Sequence, residues 1–148
     1  MKQRLAIACD HAGFDLKKSI KNRFADKIEW LDLGTNAVDS VDYPDFGRAM
    51  GEAIRDGKAV RGIVICGSGI GISIAANRFQ EVRCALCTSA EMAKLARQHN
   101  DANVLALGAR IVDEKTAFAC VEAFLNTEFE GGRHERRVEK LTSCGMSS

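Results

Sequence analysis

The chain has 148 residues, the size of one ordinary domain and enough to bury a core without disulfide or metal staples. Hydrophobic residues make up 46% and charged residues 28%, which excludes disorder of the whole chain, and no apolar run approaches the roughly 20 residues that span a bilayer. Lys and Arg number 21 against 20 Asp and Glu, so the formal charge of +1 offers no basic excess for wrapping nucleic acid.

Apolar runs and helical stripes alternate along the whole length. Leu5-Ala6-Ile7-Ala8-Cys9 reads as a buried strand that stops at Asp10-His11-Ala12-Gly13. Phe14, Leu16, Ile20 and Phe24 follow at approximately helical spacing. Residues 28–33 read as a second strand, ended by Gly34-Thr35-Asn36. Residues 36–45 contain the only proline and read as a loop, and 46–54 as a helix closed by Asp56-Gly57. Gly62-Ile63-Val64-Ile65-Cys66 is the third strand, running through Gly67-Ser68-Gly69-Ile70-Gly71 into a helix that lasts to Asn77. A fourth strand is predicted over 82–87, a helix over 91–99, a fifth strand at Val104-Leu105-Ala106-Leu107 and a helix over 116–125. Glu130-Gly131-Gly132 breaks the chain, and 133–141 reads as a final, highly charged helix. Residues 143–148 are expected to fray, and 142–148 have no assignable role.

Strands separated by helices imply parallel pairing. Continuous rather than alternating apolar strands imply burial on both faces. The predicted fold is therefore α/β: a three-layer αβα, Rossmann-like, five-stranded parallel sheet with an extra C-terminal helix, all in one domain over 1–148. Ligands of such sheets bind beyond the carboxyl ends of the strands, near the point where strand order reverses. That rule selects Asp10 and His11, Cys66 to Gly71, and the residues after the fifth strand.

The six cysteines (9, 66, 84, 87, 120 and 144) are expected to be free thiols, because the N-terminus shows no signal-peptide pattern and the core needs no disulfide framework. Cys9, Cys84, Cys87 and Cys120 read as small buried hydrophobes. Cys84 and Cys87 are not a redox or metal pair, since residues three apart on a strand point to opposite faces. The expected compartment is the cytoplasm.

The strongest local signal is Cys66-Gly67-Ser68-Gly69-Ile70-Gly71. Three glycines at a strand-to-helix turn expose backbone N–H groups at a helix N-terminus, an arrangement that binds anions. A plain glycine-rich turn is the alternative. Dinucleotide spacing would want glycine where Ile72 stands, and no phosphate-loop Gly-Lys-Ser/Thr follows. Cys66 abuts these donors, where local positive potential favours a thiolate, so it is a candidate nucleophile or general base; a buried structural thiol is the other reading. Asp10 is either functional or a helix N-cap. Arg133 and Arg137 are four apart and project from one helical face, suiting a phosphate or forming a solvated, ion-paired surface. Arg110 follows the fifth strand on the ligand side. His99 ends a helix, where a histidine often serves the helix dipole.

Six segments together resemble the type B ribose-5-phosphate isomerases and their galactose- and allose-6-phosphate relatives. They are Cys9-Asp10-His11-Ala12-Gly13-Phe14; Asp42-Tyr43-Pro44; Cys66 to Gly71 followed by Ala75-Ala76-Asn77; Arg97-Gln98-His99-Asn100-Asp101; Gly108-Ala109-Arg110; and Gly131-Gly132-Arg133-His134. The resemblance implies interconversion of ribose 5-phosphate and ribulose 5-phosphate, a step of the pentose phosphate pathway, with no metal or organic cofactor. It implies Cys66 as the base, an anion hole from the amides of Gly67, Ser68, Gly69, Ile70 and Gly71 with the Ser68 hydroxyl, and His99 as the ring-opening acid/base aided by Asp10 and Tyr43. His11, Arg110, Arg133 and Arg137 would hold phosphate, and Asn100 a sugar hydroxyl. It also implies a homodimer with shared active sites, or a tetramer, and neither nucleic-acid nor membrane partners. Many cysteine-type members have Thr where Ser68 stands. Another branch lacks the cysteine and carries Glu after the third glycine, here Ile72, so this sequence sits with the cysteine-type branch. A hexose 6-phosphate substrate, or a non-catalytic sugar-phosphate-binding module, are the alternatives.

Overall fold

The computed structural model describes residues 2–144. The apolar runs form strands β1 (Gln3–Cys9), β2 (Ile28–Asp32), β3 (Arg61–Cys66), β4 (Cys84–Leu86) and β5 (Val104–Gly108). Between and after them lie helices α1 (Phe14–Arg23), α2 (Tyr43–Arg55), α3 (Ile70–Ala76), α4 (Ala90–Asn100), α5 (Glu114–Asn126) and α6 (Glu135–Ser143). Each intervening helix carries the chain back to the sheet's starting edge, so every strand pair is parallel. The strand order is β2-β1-β3-β5-β4.

The two faces of the strands build two cores. Leu5, Ile7, Ile63, Ile65, Leu105 and Leu107 meet side chains of α1, α4 and α5 on one face. Ala6, Ala8, Val64, Cys66 and Ala106 meet Met50 of α2 and Ile72 and Ala76 of α3 on the other. Each fully buried isoleucine or leucine contributes about 1.5–3 kcal/mol over an exposed one. This is the three-layer arrangement the sequence predicts.

Several boundaries differ from the predicted ones. The fourth strand is only Cys84–Leu86, an edge strand paired on one side and half-buried, where 82–87 was expected. Cys84 is accordingly half-buried, whereas Cys9, Cys87 and Cys120 are buried, and all six cysteines are free. Cys84 packs on the α2–α3 core and Cys87 on the opposite one, so the two thiols do not face a common site. Helix α2 starts at Tyr43 inside the segment expected to be loop. Pro44 sits in its first turn, where the missing N–H costs nothing because those amides have no intrahelical partner. Residues 132–134 form a 3₁₀ turn before α6 rather than its first turn. Of the residues expected to fray, Ser143 closes α6, and 145–148 lie outside the described residues.

The chain leaves β1 on one side for β2 and returns on the other for β3. Strand order therefore reverses between β1 and β3, and the carboxyl ends of these strands are where ligands of such sheets bind.

Candidate active site

Cys66 is the last residue of β3, at that carboxyl end. Its Sγ accepts a hydrogen bond from the Gly69 N–H at 3.2 Å, and the residue is 4% exposed. The turn that makes this possible needs glycine at 69. Its φ is +79°, and a Cβ there would stand 2.9 Å from the Leu107 carbonyl carbon and 3.0 Å from the Gly108 nitrogen. The Ser68 hydroxyl accepts the Ile70 N–H at 3.1 Å, which leaves its own hydrogen free to donate outward. The Gly71 N–H, in the first turn of α3, has no intrahelical carbonyl to bond.

Three neighbouring segments converge on this turn. Ala109 and Arg110 donate their backbone N–H groups to the Cys66 and Gly67 carbonyls, both at 2.9 Å. The Arg110 guanidinium consequently lies over Gly67, where an added Cβ would be 3.1 Å from its Nη1. The Tyr43 ring lies against Gly71, close enough that any side chain there would collide with it. Asp10 donates its N–H to the Ile65 carbonyl at 3.1 Å, fixing the end of β1 beside β3. Its carboxylate Oδ1 accepts from the Ala12 and Gly13 N–H groups at 3.0 and 3.3 Å, so the capping reading of Asp10 holds, and the residue is 6% exposed. His11 follows, with Nδ1 accepting the Val41 N–H at 3.2 Å. A neutral His11 therefore carries its proton on Nε2. Asp10, His11, Tyr43, Cys66 to Gly71 and Arg110 thus share one end of the sheet.

The other predicted residues lie elsewhere. Helix α4 begins beyond the carboxyl end of β4 and runs back to the amino end of β5, so His99 and Asn100, in its last turn, are at the opposite edge. The five residues of β5 separate the two edges by roughly 16 Å. His99 stacks on His134, with ring centroids 4.4 Å apart and planes inclined by 14°. Glu130 Oε1 is 3.5 Å from His134 Nε2 and 4.0 Å from His99 Nε2. Glu130 is held there by its N–H, which donates to the Gln98 carbonyl at 3.1 Å. Burial, then the His99 ring and Arg133, depress the His134 imidazole below the ordinary histidine range. Arg133 and Arg137 are exposed, form no ion pair among the described residues, and belong to a 3₁₀ turn and a helix α6 that buries none of its own residues. Within one chain, then, the thiol and anion-binding turn do not meet His99, Asn100, Arg133 or Arg137.

A family model described as Ribose/Galactose Isomerase matches residues 5–141, which takes in both clusters. The chain belongs to this family. Ribose-5-phosphate isomerase B of Escherichia coli (strain K12) is 43% identical over 142 residues, covering 95% of each chain. The solved structure of Clostridium thermocellum ribose-5-phosphate isomerase B has a TM-score of 0.93 at 47% identity, over 95% of this chain and 96% of that one. That of the Mycoplasma genitalium enzyme, with bound ribulose 5-phosphate, has a TM-score of 0.91 at 40% identity, over 96% and 95%. The fold is thus shared with these solved structures over 95–96% of this chain.

Glu130 and His134, which the structure brings beside His99, are not among the site candidates that sequence reasoning singled out. Their four-residue spacing was visible, but the Gly131-Gly132 break between them hid the fact that they close on His99, more than thirty positions before His134.

Proposed function

We propose that the protein is a ribose-5-phosphate isomerase that interconverts D-ribose 5-phosphate and D-ribulose 5-phosphate through a cis-enediolate. The observation that carries this reading is the Cys66 sulfur held 3.2 Å from the Gly69 amide, beside further donors, at the point where strand order reverses. The Cys66 thiolate, its charge stabilised by that amide, takes the proton from C2, and the C2–H electron pair shifts to make the C1–C2 double bond. Negative charge moves onto the former carbonyl oxygen, which the Gly71 N–H and Ser68 hydroxyl meet as preorganised donors. The O2 hydroxyl proton then passes to O1, and as the resulting O2 negative charge forms the C2=O bond, the C1–C2 double-bond electrons take the proton back from the Cys66 thiol at C1. Asp10 and Tyr43 stand at the same end of the sheet, and His11 Nε2–H and Arg110 offer donors to the phosphate.

His99 would open the furanose ring, Asn100 would hold a sugar hydroxyl, and Arg133 and Arg137 would complete the phosphate site. Because these four sit across the sheet from Cys66, a second copy of the chain supplies them, making a homodimer with two shared sites. Ile70 and Ile74, four apart on α3 and 53% and 51% exposed, provide an apolar seat for that copy beside the anion-binding turn. The whole chain acts as one domain, and its six free thiols suit the reducing cytoplasm, where the reaction belongs to the pentose phosphate pathway.

The test is a coupled assay that compares ribose 5-phosphate with allose 6-phosphate and galactose 6-phosphate. We expect kcat/KM for the pentose to exceed that for either hexose by at least about tenfold, or about 1.4 kcal/mol. A preference for a hexose would move the assignment to the hexose 6-phosphate isomerases. Binding of all three without turnover would make the protein a sugar-phosphate-binding module.

A further inference from the structure

Away from the thiol, three donor groups from two parts of the chain come together: His99 at the end of α4, and Glu130 in the segment after α5 with His134 in the 3₁₀ turn before α6. One ligand atom from each lies within 4.8 Å of the others. His134 is 7% exposed, and its Nε2 is a buried ring nitrogen with no hydrogen-bond partner. A buried polar atom left in that state needs a compensating partner. Here it faces a carboxylate oxygen at 3.5 Å.

We propose that His99, Glu130 and His134 form a binding site for a borderline divalent transition metal, represented by Zn2+, that withdraws His99 from the substrate when filled. Two imidazoles and one carboxylate are a recurrent zinc donor set, and water can take the fourth position. Zinc bonds of about 2.0–2.1 Å in a tetrahedron place donor atoms about 3.3 Å apart. The His134–Glu130 separation of 3.5 Å already approaches this, and the His99–Glu130 separation of 4.0 Å must close by under an ångström. The two rings are stacked with planes inclined by 14°, so one of them must turn before both can aim a nitrogen at one ion. His99, whose side chain is 37% exposed, is free to swing toward the ion, while His134 is fixed by burial. The exposed Arg133 and Arg137 lie close by and oppose a cation, which weakens binding relative to a site without them. The metal site itself is independent of the isomerase reading. Its inhibitory consequence rests on His99 acting as proposed above.

The test is calorimetric titration of ZnCl2 into the full-length protein carrying Cys66→Ala and Cys144→Ala, which removes the catalytic and the exposed thiol as competitors. We expect one ion per chain, and affinity falling at least about tenfold with either His134→Gln or Glu130→Gln. Glu130 is exposed, so its variant keeps the fold even if His134→Gln does not. Failure to bind zinc, or binding that neither variant weakens, overturns the site. On the thiol-intact protein, zinc should inhibit ribose 5-phosphate turnover reversibly, with EDTA restoring it, and the Glu130→Gln protein should resist. Site-specific binding without inhibition would sustain the metal site and count instead against His99 as the ring-opening group.

Discussion

Replacing Cys66 by alanine is expected to lower kcat by about 10³-fold, equivalent to about 4 kcal/mol of transition-state stabilisation. The sulfur is the one group at the carboxyl end of β3 that both faces a backbone donor and can accept a proton from carbon. Its loss leaves the amides of the turn, the Ser68 hydroxyl and Arg110 in place, so sugar-phosphate affinity should change by less than about threefold. The fold should persist, because the Cβ remains in contact with the α2–α3 core. Steady-state turnover and a calorimetric titration with ribose 5-phosphate separate the two effects. An unchanged kcat removes the sulfur from the chemistry, and a parallel loss of binding and turnover makes it a structural residue of the turn.

Arg137→Ala should act on the other half of the kinetics. A guanidinium–phosphate contact contributes about 2 kcal/mol, so KM for ribose 5-phosphate should rise by about 30-fold with kcat little changed. Thermal stability should barely move, since α6 buries none of its residues and Arg137 forms no ion pair among the described residues. A lowered melting temperature with an unaltered KM would make the helix a solvated, purely structural face.

The strand and helix order was legible because it depends on local chemistry. Buried parallel strands must be continuously apolar, as at Ile63-Val64-Ile65, and a turn that packs against the Leu107–Gly108 backbone must use glycine, as at Gly69. The capping role of Asp10 was legible for the same reason, as its carboxylate bonds only two and three residues ahead. Where the sequence misled, a local signal had two meanings. Pro44 reads as a loop residue and is equally suited to a first helical turn. Val82-Arg83-Cys84-Ala85-Leu86-Cys87 reads as a full strand, yet an edge position with one partner leaves only three residues paired. The strand order β2-β1-β3-β5-β4 has no local signature at all, and with it went the position of His99 relative to Cys66. Both were recognisable as candidates, but their separation across the sheet follows only from where α4 ends.

In the dimer proposed above, that separation makes the site a property of two chains. Cys66→Ala and Arg137→Ala subunits, each nearly inactive at substrate concentrations below KM, should be co-expressed with different tags and the mixed dimers measured. Each mixed dimer holds one of its two sites with both Cys66 and Arg137 intact, so the isolated mixed dimers should show about half of the unsubstituted activity. Mixed dimers no more active than either parent variant would contradict a site divided between subunits.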